Sequence, residues 1–368
     1  MSEYKPVRAS VEFSDNQFKA DIRTSYFMGG IAYHFLTMSS LTRRSVLKAA
    51  SAWAFLAAWP GSTCAGLLDR ILRPQQASRT PSITPNEEFY VTSYRSPPII
   101  RIEEWALLVT GLVEKPITLT YDQLLEKPTV SSIVTLECIG NTVAGEFIST
   151  AKWEGISLGA LLDEAGVNGS AYDVVFKAAD GFSDSIRFQR AMAGDVLIAH
   201  RMNGVPLPQG HGFPARVVVP GHYGMKSVQW LTEIEVVNYD YKGYYQRKGW
   251  TDDAIVKTMS RIDLPGHGTT IPGLHHRVQG LAFAGTRGIR LVEISIDSGH
   301  WTAATLEPPS SPYAWNFWSY DWAVPAPGRY TMLVRAADGT GKIQTSLEQD
   351  PAPDGATGLH EITVTVSG

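Results

Sequence analysis

From residue 105 onward the apolar positions fall in short β-branched runs closed by turn residues. WALLVTG, SSIVTLECIG, DVVFKAADG and ARVVVPG each end on glycine, which predicts buried strands. WLTEIEVVNY alternates enough to be a half-buried strand. Between them, KWEGISLGALLDEAG reads as a strand end running into a short helix closed by Gly166. A second short helix is predicted after Thr120, its N-cap, with Gln123 three residues on. Helices and strands intermixed over residues 99–242 predict an α+β domain. Residues 243–275, with DLPGHGTTIPG, read as a loop-rich linker. Beyond it HHRVQGLAFAG, IRLVEISIDSG, YTMLVRAADG and LHEITVTVSG are short strands without helical period. They predict an immunoglobulin-like antiparallel β-sandwich over residues 276–368.

The N-terminal pattern is of another kind. Residues 1–37 have no clear period. MSSLTRRSVLKAASAWAFLAAWPGSTCAG follows from Met38, with paired Arg43 and Arg44, an apolar core over residues 49–59, and small residues at its exit. It resembles a twin-arginine export signal over residues 38–65, with processing near Thr63-Cys64-Ala65. The core is shorter than the roughly 20 residues of a spanning helix. The expectation is a periplasmic protein exported folded, with Met38 as the true start and residues 1–37 a non-native extension. Residues 66–98, rich in Pro, Arg, Ser and Thr, read as an extended arm.

Composition narrows the partners. A chain of 368 residues with net charge -4 gives no reason to expect nucleic acid. Of the 2 cysteines, removal of the signal leaves Cys138 alone, which excludes a structural intrachain disulfide. Cys138 closes a predicted strand and precedes Gly140 and Asn141. Glycine there permits close backbone approach, and Asn141 can fix a loop or a cofactor group. Three readings stay open on the residues alone: a small buried hydrophobe, a nucleophile with His200, His211 or His222 as base, or a thiolate ligand to a metal otherwise held by a cofactor.

Longer motifs bear on the choice. AHRMNGVPLPQGHGFPARVVVPGHYGMKSVQWL, TLECIGN, DYKG and VQGLAFAGTRGIRLVEISIDSGHW stand in the order of the sulfite oxidase family of molybdenum enzymes, which the chain resembles over residues 80–368. The resemblance implies a molybdopterin-binding domain followed by a dimerisation-type sandwich. It implies that Cys138 ligates molybdenum carried by one molybdopterin per chain. Arg216, Lys226 and Ser227 would hold the phosphate and pterin, with His211, Asn141 and Asp180 bonding the cofactor. Asp180 reads equally well as a turn residue of Asp-Gly. Tyr241, in DYKG, would face substrate, although Tyr239, Tyr244 and Tyr245 crowd the same stretch. The implied activity is oxygen-atom transfer, with electrons exchanged with a separate protein such as a cytochrome c or a membrane redox partner. A homodimer would use the sandwich, with WNFWSYDW at its face. A scaffolding protein of the same fold and a cysteine hydrolase are the competing classes.

The resemblance weakens at the anion site. Sulfite-oxidising members place arginines where this chain has Thr92, Thr142 with Val143, and the arginine-free GATGLH of residues 355–360. A charged hydrogen bond contributes roughly 1.5–3 kcal/mol, so losing several weakens a dianion site by orders of magnitude. The expectation is weak sulfite oxidation and a more neutral substrate, such as an S-oxide, an N-oxide or a larger organic molecule. Sulfite dehydrogenation is the alternative.

Overall fold

The computed structural model describes residues 79–368, together with the strands Tyr26–Met28 and Ile31–Tyr33, which pair antiparallel. The chain divides into two units, Met1–Pro74 and Gln75–Gly368. The signal-like residues 38–65 and the start of the arm lie outside the described residues, as does the N-terminal extension apart from that strand pair.

The larger unit begins with two sheets that share a core. In the first, strand Leu231–Val237 lies between Ala106–Gly111, to which it is parallel, and Asp173–Ala178, to which it is antiparallel. Ile117–Thr120 and Ser183–Arg187 complete its edges. In the second, Ile148–Ser157 pairs antiparallel with both Val130–Glu137 and Leu197–Met202. Arg216–Val218 adds to the far side of Leu197–Met202. The predicted helices form where their caps stand. Thr120 and Gln123 make a reciprocal capping box for Tyr121–Glu126, and Ser157 caps Leu158–Ala165, which ends on a left-handed Gly166. The α-helices are few and short, so the domain is mostly β rather than an even α+β mixture. The reason is local: apart from LGALLDEA, the apolar runs are too short and too β-branched to hold a helical face.

Two further sheets pack face to face. Met259–Leu264, His275–Phe283, Asn316–Ala323 and Thr305–Leu306 form one; Thr270–Pro272, His360–Ser367, Gly328–Asp338, Ile289–Ile296 and Thr302–Ala303 form the other. Val278, Val292, Trp318, Met332, Val334 and Ile362 fill the space between. The linker expectation needs correcting, because Met259–Leu264 is already an edge strand of this sandwich. Trp315, Trp318 and Trp322 are at most 5% exposed, so WNFWSYDW is core and not an open dimer face. Thr135 joins the two parts: its N–H donates to the Tyr313 carbonyl at 3.0 Å, and its hydroxyl accepts from the Trp315 N–H at 2.9 Å. A shared apolar cluster, including Ile139, Tyr223, Phe283 and Trp315, lies directly behind the Cys138 turn.

Candidate functional site

The strand Val130–Glu137 is buried over its last four residues and delivers Cys138 to the wall of a cavity of about 310 Å³. The Cys138 N–H donates to the Phe147 carbonyl, and the Cys138 carbonyl accepts from the Asn141 N–H, both at 2.9 Å. Two donors approach the sulfur: the Gly140 N–H at 3.4 Å and the Thr92 hydroxyl at 3.9 Å. Burial pushes the thiol pKa up, and those two donors pull it partly back.

Asn141 does not face the cavity. Its amide nitrogen donates to Glu137 Oε1 at 3.0 Å, and its oxygen accepts from the Phe147 N–H at 3.0 Å. It therefore braces the cysteine turn. Gly145 permits this brace, because a Cβ there would stand 2.3 Å from Asn141 Oδ1. Glu137 is buried with one oxygen unpartnered, and burial raises its carboxyl to about 7.

One end of the cavity is built from sheet. Arg216 is 3% exposed and donates to the carbonyls of His211 at 3.1 Å and Ser227 at 3.0 Å. Its guanidinium lies 5.0 Å over the Trp153 ring, and its buried Nε has no partner. Burial lowers its pKa to about 10, which keeps it charged at neutral pH. Ser227 also lines the cavity, with its hydroxyl accepting from the Val219 N–H. His211 sits one layer back. Its Nε2 pairs with the Asn86 carbonyl at 2.7 Å, its buried Nδ1 has no partner, and burial lowers its pKa so that the ring is neutral.

Lys226 corrects the expectation of a phosphate-gripping lysine. It is 2% exposed and its ammonium donates to Asp184 at 2.8 Å, with Asp252 at 3.6 Å. It lines a second, smaller cavity of about 190 Å³ together with Arg187, His222 and Asp252. Burial drives the Asp184 pKa up while Lys226 opposes it. Asp180 does line the main cavity, but its carboxylate accepts from the Phe182 N–H at 2.9 Å, the turn role.

Tyr241 is placed elsewhere as well. Its hydroxyl shares a 2.7 Å hydrogen bond with Ser183 and it is not part of the cavity wall. Tyr245 is the tyrosine that arrives, with burial and then the nearby Cys138 raising its pKa. It packs edge-on to Phe182 and Trp250, with ring centres 5.8 and 6.0 Å apart. Tyr94 from the arm closes this side, 6.2 Å from Phe182. Sequence reading missed Tyr90, Trp250 and Asp184. The aromatic-rich GYYQRKGW was the available signal for Trp250; nothing local marks Asp184.

Such a cavity, with one free thiol and a buried cation at the far end, suits a large anionic group that brings its own metal. Among the described residues, no group of three or more His, Cys, Asp or Glu could hold a metal ion. A metal at Cys138 would therefore take its remaining ligands from that group.

Residues 94–245 match the family model for the oxidoreductase molybdopterin binding domain. The sulfite oxidase of Gallus gallus is 31% identical over 312 residues, covering 71% of this chain and 68% of that protein. Mitochondrial sulfite oxidase of Rattus norvegicus is 31% identical over 71% of this chain, but the match spans only 57% of the relative. An NADH nitrate reductase of Brassica napus is 29% identical, and the match spans 33% of its length. Among solved structures, the sulfane dehydrogenase SoxCD of Paracoccus pantotrophus shares the fold, with TM-score 0.67 and 23% identity over 77% of this chain and 82% of that one. With its cysteine-bearing cavity and its match along most of the Gallus gallus enzyme, the chain belongs to the sulfite oxidase family and is a molybdopterin-dependent oxidoreductase.

Proposed function

We propose that this protein is an exported, periplasmic enzyme that transfers an oxygen atom at a molybdenum ligated by Cys138, with one molybdopterin per chain. The observation that carries this reading is the placement of Cys138, a free thiol on the wall of a cavity that the cation Arg216 also lines. When bound, the cofactor supplies two-electron oxygen-atom chemistry at the metal. The chain's residues do the rest. Cys138 would hold the metal as a thiolate, its proton given up to solvent, and the Gly140 N–H lies 3.4 Å from that sulfur. The unpartnered Nε of Arg216 and the Ser227 hydroxyl line the end that would receive the pterin and its phosphate. Tyr245 places a hydroxyl-bearing ring on the substrate side, the role expected of Tyr241. Electrons pass to or from a separate redox protein, for which a cytochrome c or a membrane partner is suited. Sulfur as the reacting element is supported by the sulfite oxidase relatives. The C-terminal sandwich is taken as immunoglobulin-like, and a homodimer through one of its faces is part of the proposal, with a face other than the buried tryptophans.

The test is metal analysis of the full chain purified from a molybdenum-competent host. About one molybdenum and one pterin per chain are expected, and Cys138→Ser should lose the metal. A protein that binds neither in such a host would refute the reading and favour a scaffold.

A further inference from the structure

Resting on that reading, we infer that Arg261 of the C-terminal sandwich is a positioning residue for Cys138, clamping the loop of residues 138–147 that presents the thiol. The sandwich then takes part in building the metal site, separately from any dimer contact. Two observations carry it: a guanidinium that ties the arm, the sandwich and this loop together, and a strained turn at the point where it grips.

The loop is tied at its ends and strained in its middle. The Cys138 N–H donates to the Phe147 carbonyl at 2.9 Å, and the Phe147 N–H donates to Asn141 Oδ1 at 3.0 Å. Between them the Gly145 N–H donates to the Thr142 carbonyl at 2.9 Å, closing a tight turn. Its third residue, Ala144, stands in the left-handed region at φ 57°, where a glycine is the usual occupant. An alanine keeps that conformation only where its surroundings hold it. The sandwich supplies that hold. Val143 packs against Gly358, where a Cβ would stand 3.3 Å from Val143 Cγ2, and Arg261 takes the Gly145 carbonyl.

Arg261 is itself well fixed. It lies on the strand Met259–Leu264, where Gly280 of the paired strand lets the backbones approach; a Cβ there would stand 2.0 Å from the Arg261 carbonyl. Its three nitrogens go to three different acceptors. Nη1 donates to the Gly145 carbonyl at 2.9 Å, Nε to Asp263 Oδ1 at 2.8 Å, and Nη2 to the Thr80 hydroxyl at 3.0 Å. The Thr80 hydroxyl in turn donates to Asp263 Oδ2 at 2.7 Å. A planar guanidinium with its donors in a fixed fork is thereby held in one place. The Arg261 and Asp263 side chains are 13% and 8% exposed, so water competes little for these bonds. From Gly145 the hold reaches the thiol in short steps. Gly145 lies against the Asn141 amide oxygen, which accepts from the Phe147 N–H, and the Phe147 carbonyl accepts from the Cys138 N–H.

Hydrogen exchange read by mass spectrometry on the full chain tests the clamp. The double variant Arg261→Met/Asp263→Asn removes it without stranding a carboxylate. Arg335→Met is the control, because it breaks a sandwich ion pair with Glu293 whose arginine stacks on Trp301, not on the loop. In the double variant the amides of residues 138–147 should exchange about 10-fold or more faster, the equivalent of one charged hydrogen bond. The strands Leu231–Val237 and Gly328–Asp338 should keep wild-type rates, and Arg335→Met should leave the loop unchanged. In the loaded enzyme the double variant should hold less molybdenum or show a shifted sulfur-to-molybdenum charge-transfer band, since the turn aims the thiolate. Loop exchange at the wild-type rate, a loss shared equally by the core strands, or full metal content with an unshifted band overturns the inference. If the wild type takes up no molybdenum, the function beneath is overturned, while the exchange rates still decide the clamp.

Discussion

Lys226 and Asp184 form an ion pair whose side chains are 2% and 0% exposed. Replacing Lys226 with Met keeps most of the volume and strands the carboxylate. Removing one partner of a buried pair costs about 3–5 kcal/mol. Asp184 retains the Ser185 N–H at 2.8 Å and the Gln246 amide at 3.3 Å, which puts the expected loss near the lower limit, about 3 kcal/mol. The loss should also depend on pH. Burial already raises the Asp184 pKa, and without Lys226 nothing cationic within 3 Å opposes it. A carboxyl whose folded pKa lies above its unfolded value binds protons more tightly in the folded state. Acid therefore restores stability to the variant. Urea denaturation should show the full deficit near pH 8 and a smaller one near pH 5. The double variant Lys226→Met/Asp184→Leu should recover most of it, because an apolar pair needs no compensation. A single variant that loses under about 1 kcal/mol at pH 8, or a double variant no better than the single, would refute the buried-pair account.

Two more outcomes follow from the same geometry. Trp153 is fully buried beneath the Arg216 guanidinium with its indole N–H donating to the Val134 carbonyl, so Trp153→Ala should cost about 3–5 kcal/mol and lower pterin occupancy, read by denaturation and cofactor release. His360 accepts the Ile262 N–H through Nδ1 at 2.9 Å, and burial lowers its pKa from 6.5 to about 4. Its stabilising contribution is complete above the unfolded value and is lost as pH falls through that window. His360→Gln should flatten the acid limb of the stability curve between these values, and an unchanged limb would show that the ring is not held neutral.

The strands were legible because each carries its own punctuation. SSIVTLECIG is β-branched up to the turn, and Gly166 ends its helix in the conformation a glycine prefers. Cys138 was legible for a similar reason, as a lone thiol before Gly140 and Asn141. Residues placed differently from expectation share a cause, which is competition for their hydrogen bonds by other protein groups, near in sequence for Asn141 and distant for Lys226. Asn141 was expected on the cofactor, yet the Glu137 carboxylate and the Phe147 N–H take both ends of its amide. Lys226 was expected on phosphate, yet it finds Asp184 across the first sheet's edge. Tyr241 lost its place to Tyr245 because Gly243 packs tightly against Ser183, where a Cβ would stand 2.6 Å from the Ser183 carbonyl. That approach holds Tyr241 on the Ser183 hydroxyl and sends the following residues to the cavity. No local pattern distinguishes four tyrosines in seven residues; the packing of one glycine does.

The two ends of the cavity differ in what supports them, and that difference separates chemistry from selectivity. Arg216, Trp153 and Ser227 are at most 3% exposed and are tied to strands that also carry the core. Changing them perturbs the sheet as well as the site, so the cofactor end is fixed by stability as much as by binding. Tyr94, Tyr245 and Trp250 stand on irregular segments and are only half-buried. Tyr245 and Trp250 pack on the cluster behind the Cys138 turn, whereas Tyr94 packs on none of the core clusters, so the stability cost is smallest at Tyr94. On the proposed function, substrate preference shifts through the arm and the segment after the first sheet, while the Cys138 turn, braced by Glu137 and Asn141, stays as it is.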